Sequence, residues 1–176
     1  LRRRLGRIGR TTDQIKAILR NANTSLSRLD LVNVLESMRL YVASNLKEAR
    51  GWVSIKQPSD LGWHGACVDG DAVQLQIAVI NLLKNAVDAL GLQPPATVPP
   101  QIVISLERQA QSWAIVVDDN GPGLPDDHPS QLPLTSTKPS GSGLGLFIVR
   151  SAMESHRGEL SLDTSPIGGT RAMLIL

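Results

Sequence analysis

Cysteine occurs once in the 176-residue chain. A single thiol, Cys67, excludes an internal disulfide framework and any multi-cysteine zinc site, and its short apolar surroundings predict an inert core thiol. Histidine is also scarce: His64, His128 and His156 are the only three, too few for a His-rich metal site. No Ser/His/Asp arrangement can be assembled around them, and His64, between Trp63 and Gly65, reads as structural. Aromatic residues make up 3%, which argues against stacking on nucleic-acid bases. No run of about 18 apolar residues is present, so no spanning helix is expected, and no secretory pattern opens the chain. Charge of one sign is nearly cancelled, at a net +2. Arg2, Arg3, Arg4, Arg7 and Arg10 concentrate the excess locally, so no nucleic-acid surface is expected.

What remains is a globular composition, 41% hydrophobic and 19% charged, of a size for one ordinary domain plus an appendage. Leu1, Leu5, Ile8, Thr12, Ile15, Leu19 and Ala22 step alternately by four and three, a heptad seam that predicts one helix of a short bundle. The seam begins mid-pattern, as expected for part of a longer helix, and Asn21–Ser27 reads as a turn. Asp30 is placed to cap a second helix whose buried face is Leu31, Val34, Leu35, Met38, Val42 and Leu46. Strands are expected over Trp52–Lys56 and Ala66–Val68, then a long helix from Asp71 to Leu90. A strand pair at Gln101–Glu107 and Ser112–Asp118 follows. A proline-rich loop runs from Gly121 to Gly143, then a helix to about Ser155. Glu159–Asp163 and Thr170–Leu176 close as a hairpin across Gly168–Gly169. Helices and strands are partly segregated, which predicts an α+β two-layer sandwich and argues against alternating βαβ units.

Three stretches carry chemistry. On the long helix, Asp71, Gln74, Asn81, Asn85 and Asp88 share a wedge of roughly 100° while most of the remaining surface is apolar. Buried amides without partners cost about 1–3 kcal/mol each, so Asn81 and Asn85 either line a polar cavity that holds a ligand or form the solvent stripe of an ordinary amphipathic helix. Asp118-Asp119-Asn120-Gly121-Pro122-Gly123 follows an apolar strand. Its glycines permit close backbone approach to a flat ligand, and a buried carboxylate there can accept a hydrogen bond from an exocyclic amine; alternatively it is a plain turn. Gly141-Ser142-Gly143-Leu144-Gly145-Leu146 runs into an apolar helix, which suits an anion cradle or a flexible loop. No Gly-Lys-Ser/Thr follows, so it is not a P-loop, and no strand precedes it as a dinucleotide fingerprint requires. Lys138 is within reach of a terminal phosphate or is an ordinary surface lysine.

Taken jointly, in order and spacing, these stretches resemble the ATP-binding domain of sensor histidine kinases, in the superfamily shared with gyrase, Hsp90 and MutL. The resemblance covers about Leu29 to Leu176. Asn81-Leu-Leu-Lys-Asn85-Ala-Val-Asp-Ala is similar to the family's asparagine box and Asp119-Asn-Gly121-Pro-Gly123 to its first glycine box. Thr135-Ser-Thr137-Lys138-Pro with Gly141-Ser-Gly143-Leu144-Gly145-Leu is similar to its lid end and second glycine box. The wording is closest to kinases of the dicarboxylate- and nitrogen-sensing type.

The resemblance implies a Bergerat-type fold, a mixed sheet covered by helices on one face, with residues 29–176 as the ATP-binding catalytic domain. Residues 1–28 would be a remnant of the dimerisation and phosphoacceptor helical domain. It implies ATP and Mg²⁺, the metal on Asn85 and Asn81 lining the same site. Asp119 would take the adenine amine, with Gly121 and Gly123 against the base. Thr137, Lys138, Gly141, Gly143, Leu144 and Gly145 would meet the nucleotide from the lid side. The implied activity is a protein-histidine kinase fragment lacking its phosphoacceptor histidine, with no residue of this chain assigned as catalytic. Its implied partners are its own dimerisation domain, a homodimeric copy in the full-length protein and a response-regulator receiver domain. This portion would be cytoplasmic, with any inner-membrane anchor upstream. The alternatives are an ATP-hydrolysing or serine-phosphorylating relative, or a nucleotide-binding module without transfer. Two positions depart from the family's pattern. Leu132 and Leu134 stand where phenylalanines often precede the lid threonines. Asp88 stands where a basic residue is common, which leaves phosphate neutralisation to Lys138 or Arg150.

Overall fold

The computed structural model describes residues 26–45, 52–56, 65–91, 98–124 and 144–176. The heptad segment and the expected turn up to residue 25, Leu46, His64, His128 and the loop stretch carrying Thr137, Lys138, Gly141 and Gly143 lie outside the described residues.

Strand β1 (Ser27–Asp30) pairs antiparallel with β3 (Cys67–Gly70) in a two-stranded ribbon, with Leu29 opposite Val68. Ser27 was expected at the end of a turn and lies in this strand instead. The other five strands form a mixed sheet in the order β2 (Val53–Ile55), β4 (Ile102–Arg108), β5 (Trp113–Asp119), β7 (Thr170–Ile175), β6 (Glu159–Thr164). Only β2–β4 is parallel; the other three pairings are antiparallel. Helices α1 (Leu31–Asn45), α2 (Ala72–Gly91) and α3 (Leu144–Ser155) supply the second layer, giving the α+β two-layer arrangement read from the sequence.

Local chemistry sets the helix starts. Asp30 Oδ1 accepts the Val32 N–H at 2.9 Å, and the Leu31 N–H bonds the Ala66 carbonyl at 2.9 Å, which seats α1 beside β3. Asp71 Oδ1 accepts the N–H groups of Val73 and Gln74 at 2.8 and 3.2 Å, so this residue caps α2 and satisfies two otherwise unpaired donors. At its far end α3 stops at Arg157, whose φ of 54° is left-handed, and the Gly158 N–H returns to the Met153 carbonyl at 2.9 Å. A side chain at Gly158 would collide with the Ile175 carbonyl and the Met153 side chain, so the chain turns into β6 through a gap that only glycine fits.

The core lies between the layers. Leu31, Val34, Leu35, Met38 and Val42 of α1 and Leu75, Ala78, Val79, Leu82 and Leu83 of α2 pack on Ile102, Ile104, Ile115, Val117 and Leu174 of the sheet. Each fully buried Leu, Ile or Val contributes about 1.5–3 kcal/mol. Alternation then sorts the central strand β5. Ile115 and Val117 face the helices, and Asp119, next in the same phase, ends that face, while Ala114, Val116 and Asp118 point to the opposite side. On that side Arg171 of β7 ion-pairs with Asp118 at 3.4 Å and reaches Glu107 of β4. Its stem therefore crosses the row Ser105–Val116–Met173, and Val116 is fully buried although no core helix packs on it. Cys67 is only partly buried on β3; the short apolar context that predicted a core thiol belongs to a two-stranded ribbon at the margin of the fold.

Candidate nucleotide site

Helix α2 forms the common wall of the site. Its apolar side is sunk in the core, and the polar wedge read from the sequence divides along its length. Asp71 is spent on capping. Gln74 is buried at 8% exposure, with Oε1 lacking a hydrogen-bond partner among the described residues, and it lines a cleft against α3 rather than the site. Asp88 is exposed. Asn81 and Asn85, one turn apart, are half-buried. They are neither sealed in the core nor a free solvent stripe.

The two asparagines meet the start of α3. A Cβ placed on Gly145 would lie 3.5 Å from Asn81 Oδ1 and 3.5 Å from Asn85 Oδ1, so both amide oxygens converge on the second residue of the glycine-entered helix. Asn81 Nδ2 donates to the Ile77 carbonyl at 2.8 Å, which fixes the amide and turns its oxygen toward that helix end. The positive end of the α3 dipole therefore adjoins two amide oxygens, an environment that accommodates phosphate oxygens together with a cation.

One turn further on, the C-terminal end of α2 meets the loop after β5. A Cβ at Gly121 would sit 3.6 Å from the Ala89 Cβ and 2.8 Å from Asp119 Oδ1, which brings Asp119 to the helix one turn beyond Asn85. Asp119 is 6% exposed, and its Oδ1 accepts the Gly121 N–H at 2.8 Å and the Thr170 N–H at 3.1 Å. Burial pushes its carboxyl above the usual value of 3.8. The two N–H groups oppose that rise, and the neighbouring Asp118 charge adds to it. Asp118 turns to the opposite sheet face, where the Ser165 hydroxyl donates to it at 2.8 Å and Arg171 pairs with it. Two adjacent carboxylates thus serve different ends, and only Asp119 faces the helices. Asn120 is structural: its Oδ1 takes the Gln101 N–H at 2.7 Å and its Nδ2 donates to the Pro99 carbonyl at 2.9 Å, anchoring the loop to the start of β4.

Sequence reasoning missed Gly169 and Thr170 as parts of this site. Gly168 and Gly169 have φ of 106° and 43°, and a side chain at Gly169 would strike Asp119 Oδ1, the Gly121 N–H and the Asp119 carbonyl. Gly123, at φ 80°, stacks its own Cα region on the Gly169 carbonyl, a placed Cβ lying 3.6 Å away. The β6–β7 turn is therefore wedged into the loop that carries the carboxylate. The available signal was a connection from Thr164 to Thr170 longer than a hairpin needs.

Of the sequence-predicted residues, Asn81, Asn85, Leu144 and Gly145 lie where the middle of α2 meets the start of α3, and Asp119, Gly121 and Gly123 lie by the C-terminal end of α2. Thr137, Lys138, Gly141 and Gly143 fall outside the described residues. Among the described residues no group of three or more His, Cys, Asp or Glu is placed to hold a metal. Among them, too, no helix is long and apolar enough to cross a membrane. Asn81 and Asn85 offer oxygen donors, the type Mg²⁺ accepts, and Mg²⁺ is usually held by one or two protein groups plus substrate phosphates.

Comparison with known proteins identifies a family and a fold. Residues 70–176 match the family described as histidine kinase-, DNA gyrase B-, and HSP90-like ATPase. The chain is 27% identical over 169 residues to the C4-dicarboxylate transport sensor protein DctB of Rhizobium meliloti (strain 1021), covering 95% of this chain and 26% of that protein. It is 31% identical over 166 residues to the C4-dicarboxylate transport sensor protein DctS of Rhodobacter capsulatus, covering 93% of this chain and 24% of that one. The chain thus spans about a quarter of the length of these relatives. The ATP-binding domain of PrrB from Mycobacterium tuberculosis superposes with a TM-score of 0.62 at 26% identity, over 86% of this chain and 96% of that one.

Proposed function

The chain belongs to the histidine kinase-, DNA gyrase B- and HSP90-like ATPase family, and on that premise we propose that it is the ATP-binding catalytic part of a two-component sensor histidine kinase. It would pass the ATP γ-phosphoryl group to a histidine imidazole on a dimerisation domain. The observation that carries this reading is the convergence on one helix. Asn81 and Asn85 meet Gly145 along the middle of α2, and Ala89, one turn further on, meets Gly121 and Asp119.

Each residue then has a task. Asp119, its Oδ1 held by two backbone N–H groups, receives the adenine amine. Gly121 and Gly123 leave the loop surface bare for the flat base. Asn85, with Asn81 beside it, would hold Mg²⁺, and the start of α3 at Leu144 and Gly145 would receive phosphate oxygens through backbone N–H groups. Bound Mg²⁺ supplies charge neutralisation, which together with positioning is most of what phosphoryl transfer asks of a protein. Thr137, Lys138, Gly141 and Gly143 complete the phosphate side from the lid. The phosphoacceptor domain, with the chain ahead of β1 as its remnant, brings the imidazole in line. In the full-length homodimer the phosphoryl group passes on to a response-regulator receiver domain on the cytoplasmic side. Relatedness to DctB and DctS, named as C4-dicarboxylate transport sensors, supports the sensor-kinase reading.

An ATP-hydrolysing role fits less well. By resemblance, the hydrolysing branch carries a Glu base one turn before the magnesium asparagine. Here that position is Asn81, an amide with no basic form whose nitrogen is already committed to the Ile77 carbonyl. The test is calorimetric titration with ATP and Mg²⁺, then phosphoryl transfer to a separately supplied dimerisation domain. Asn85→Ala should weaken magnesium-dependent ATP binding by about 10-fold or more with little change in melting temperature. Equal ATP binding by the wild type and Asn85→Ala rejects the assignment, and hydrolysis near 1 s⁻¹ without an acceptor favours the hydrolysing rival.

A further inference from the structure

His156 lies outside the site just described and is 9% exposed at the end of α3. Both ring nitrogens are engaged. Nε2 is 2.8 Å from the Asp71 backbone nitrogen, and Nδ1 is 2.7 Å from the Ala152 carbonyl. A backbone N–H can only donate and a carbonyl can only accept. Nε2 must therefore be bare and Nδ1 must carry the proton, so the ring is neutral in one tautomer. Beneath it, a Cβ at Gly70 would come within 3.0 Å of the ring Cδ2, so β3 leaves that position bare and the imidazole packs against its backbone.

The tie has a mechanical consequence. Asp71 is the cap of α2, so the imidazole joins the start of the helix carrying Asn81 and Asn85 to the end of the helix that begins at Leu144. The two helices run antiparallel, and their contacts at Gly145 and at His156 are about 16 Å apart along α3. Between them Gln74, Ile77, Ile148, Ser151, Ala152 and Ser155 line a small cleft on the outer side of the seam, and Gln74 Oε1 has no hydrogen-bond partner among the described residues. The imidazole is thus a polar cross-link between two helices that otherwise meet through side-chain packing.

We infer that His156 is a positioning residue for the nucleotide site: by bonding Asp71 to Ala152 it sets the alignment of α2 and α3, and so the approach of Gly145 to Asn81 and Asn85. The inference rests on the reading of the Asn81–Asn85 stretch of α2 as the phosphate side.

Nuclear magnetic resonance on the chain tests it, with ATP titration as a second arm. Long-range nitrogen–proton correlation should show a protonated Nδ1 and a bare Nε2 at His156. His156→Phe keeps the ring's bulk and removes both bonds. It should shift the Gly145 amide and Asn85 side-chain resonances in the ligand-free protein and weaken Mg-ATP binding about fivefold, the worth of one neutral hydrogen bond. His156→Gln, which restores an acceptor near the Nε2 position, should recover both. A folded His156→Phe protein with unmoved Gly145 and Asn85 resonances overturns the inference, as does His156→Phe with wild-type ATP affinity. If His156→Phe does not fold, His156→Gln is compared with His156→Asn, whose shorter side chain reaches only the Nδ1 position. Identical spectra and affinities for that pair overturn the inference. A wild-type chain that binds no ATP refutes the site reading instead, and the resonance arm still decides the tie.

Discussion

Asp119→Asn separates binding from stability at a single side chain. The carboxylate is buried, its charge is disfavoured there, and its Oδ1 is held by the Gly121 and Thr170 N–H groups. Asparagine is nearly isosteric, and its Oδ1 can keep both of those bonds. Its nitrogen then occupies the Oδ2 position and meets the adenine amine donor to donor. Losing a charge-assisted acceptor and leaving the amine unpaired costs about 2–3 kcal/mol, a weakening of about 30- to 150-fold in ATP affinity. The fold should respond in the opposite direction. A carboxyl whose native pKa is raised binds its proton more tightly folded than unfolded. Its contribution to stability is present below its ordinary value and is lost as pH rises through the raised one. At neutral pH the charged group is a cost that Asp119→Asn removes, so the variant should melt at or above the wild-type temperature. The difference in its favour should grow from about pH 4 upward and level off once the wild-type carboxyl has ionised. Thermal melts across that range and calorimetric ATP titration measure both effects. Wild-type ATP affinity would refute the binding role, and a variant that melts well below wild type would show that the charge supports the fold.

Two glycines give further predictions. Gly145→Ala adds a Cβ at ordinary contact distance from the two asparagine oxygens and should fold with little loss of ATP affinity, whereas Gly145→Val pushes methyls into those oxygens and should lower affinity at least about 10-fold; equal affinities would show that Asn81 and Asn85 do not share the phosphate side with α3. Gly169→Ala meets both a left-handed φ and the Asp119 carboxylate. It should destabilise by about 2 kcal/mol or more and weaken ATP binding in parallel, and a melting temperature unchanged from wild type would contradict that packing.

The elements that local chemistry dictates were legible in the sequence. Asp30 and Asp71 each announced a helix start, the period of Leu31 to Val42 marked a buried face, and the Asp119 and Gly145 stretches stood out by composition. Strand limits fell within a few residues of those read from the pattern, because apolar alternation continues into half-buried flanks. What stayed hidden depends on contacts far apart in the chain. Ser27–Asp30 reads as a cap preceded by a turn until Cys67–Gly70 lies opposite it. Gly169 reads as a hairpin turn until Asp119 is packed beneath it. His156 carries no local pattern, and only its placement against Asp71 gives it a task. The polar wedge on α2 was read as one surface. The structure divides it because a helix of 20 residues meets different neighbours along its length.

That division makes α2 a ruler. Asn85 and Ala89 are four residues apart, about 6 Å of helix rise, and this interval is built from backbone hydrogen bonds that side-chain mutation does not stretch. On the proposed reading, the span between where a base lies and where its phosphates end is therefore set by a rigid rod. A molecule whose two ends are spaced differently could grip one end of the rod only by forfeiting the other.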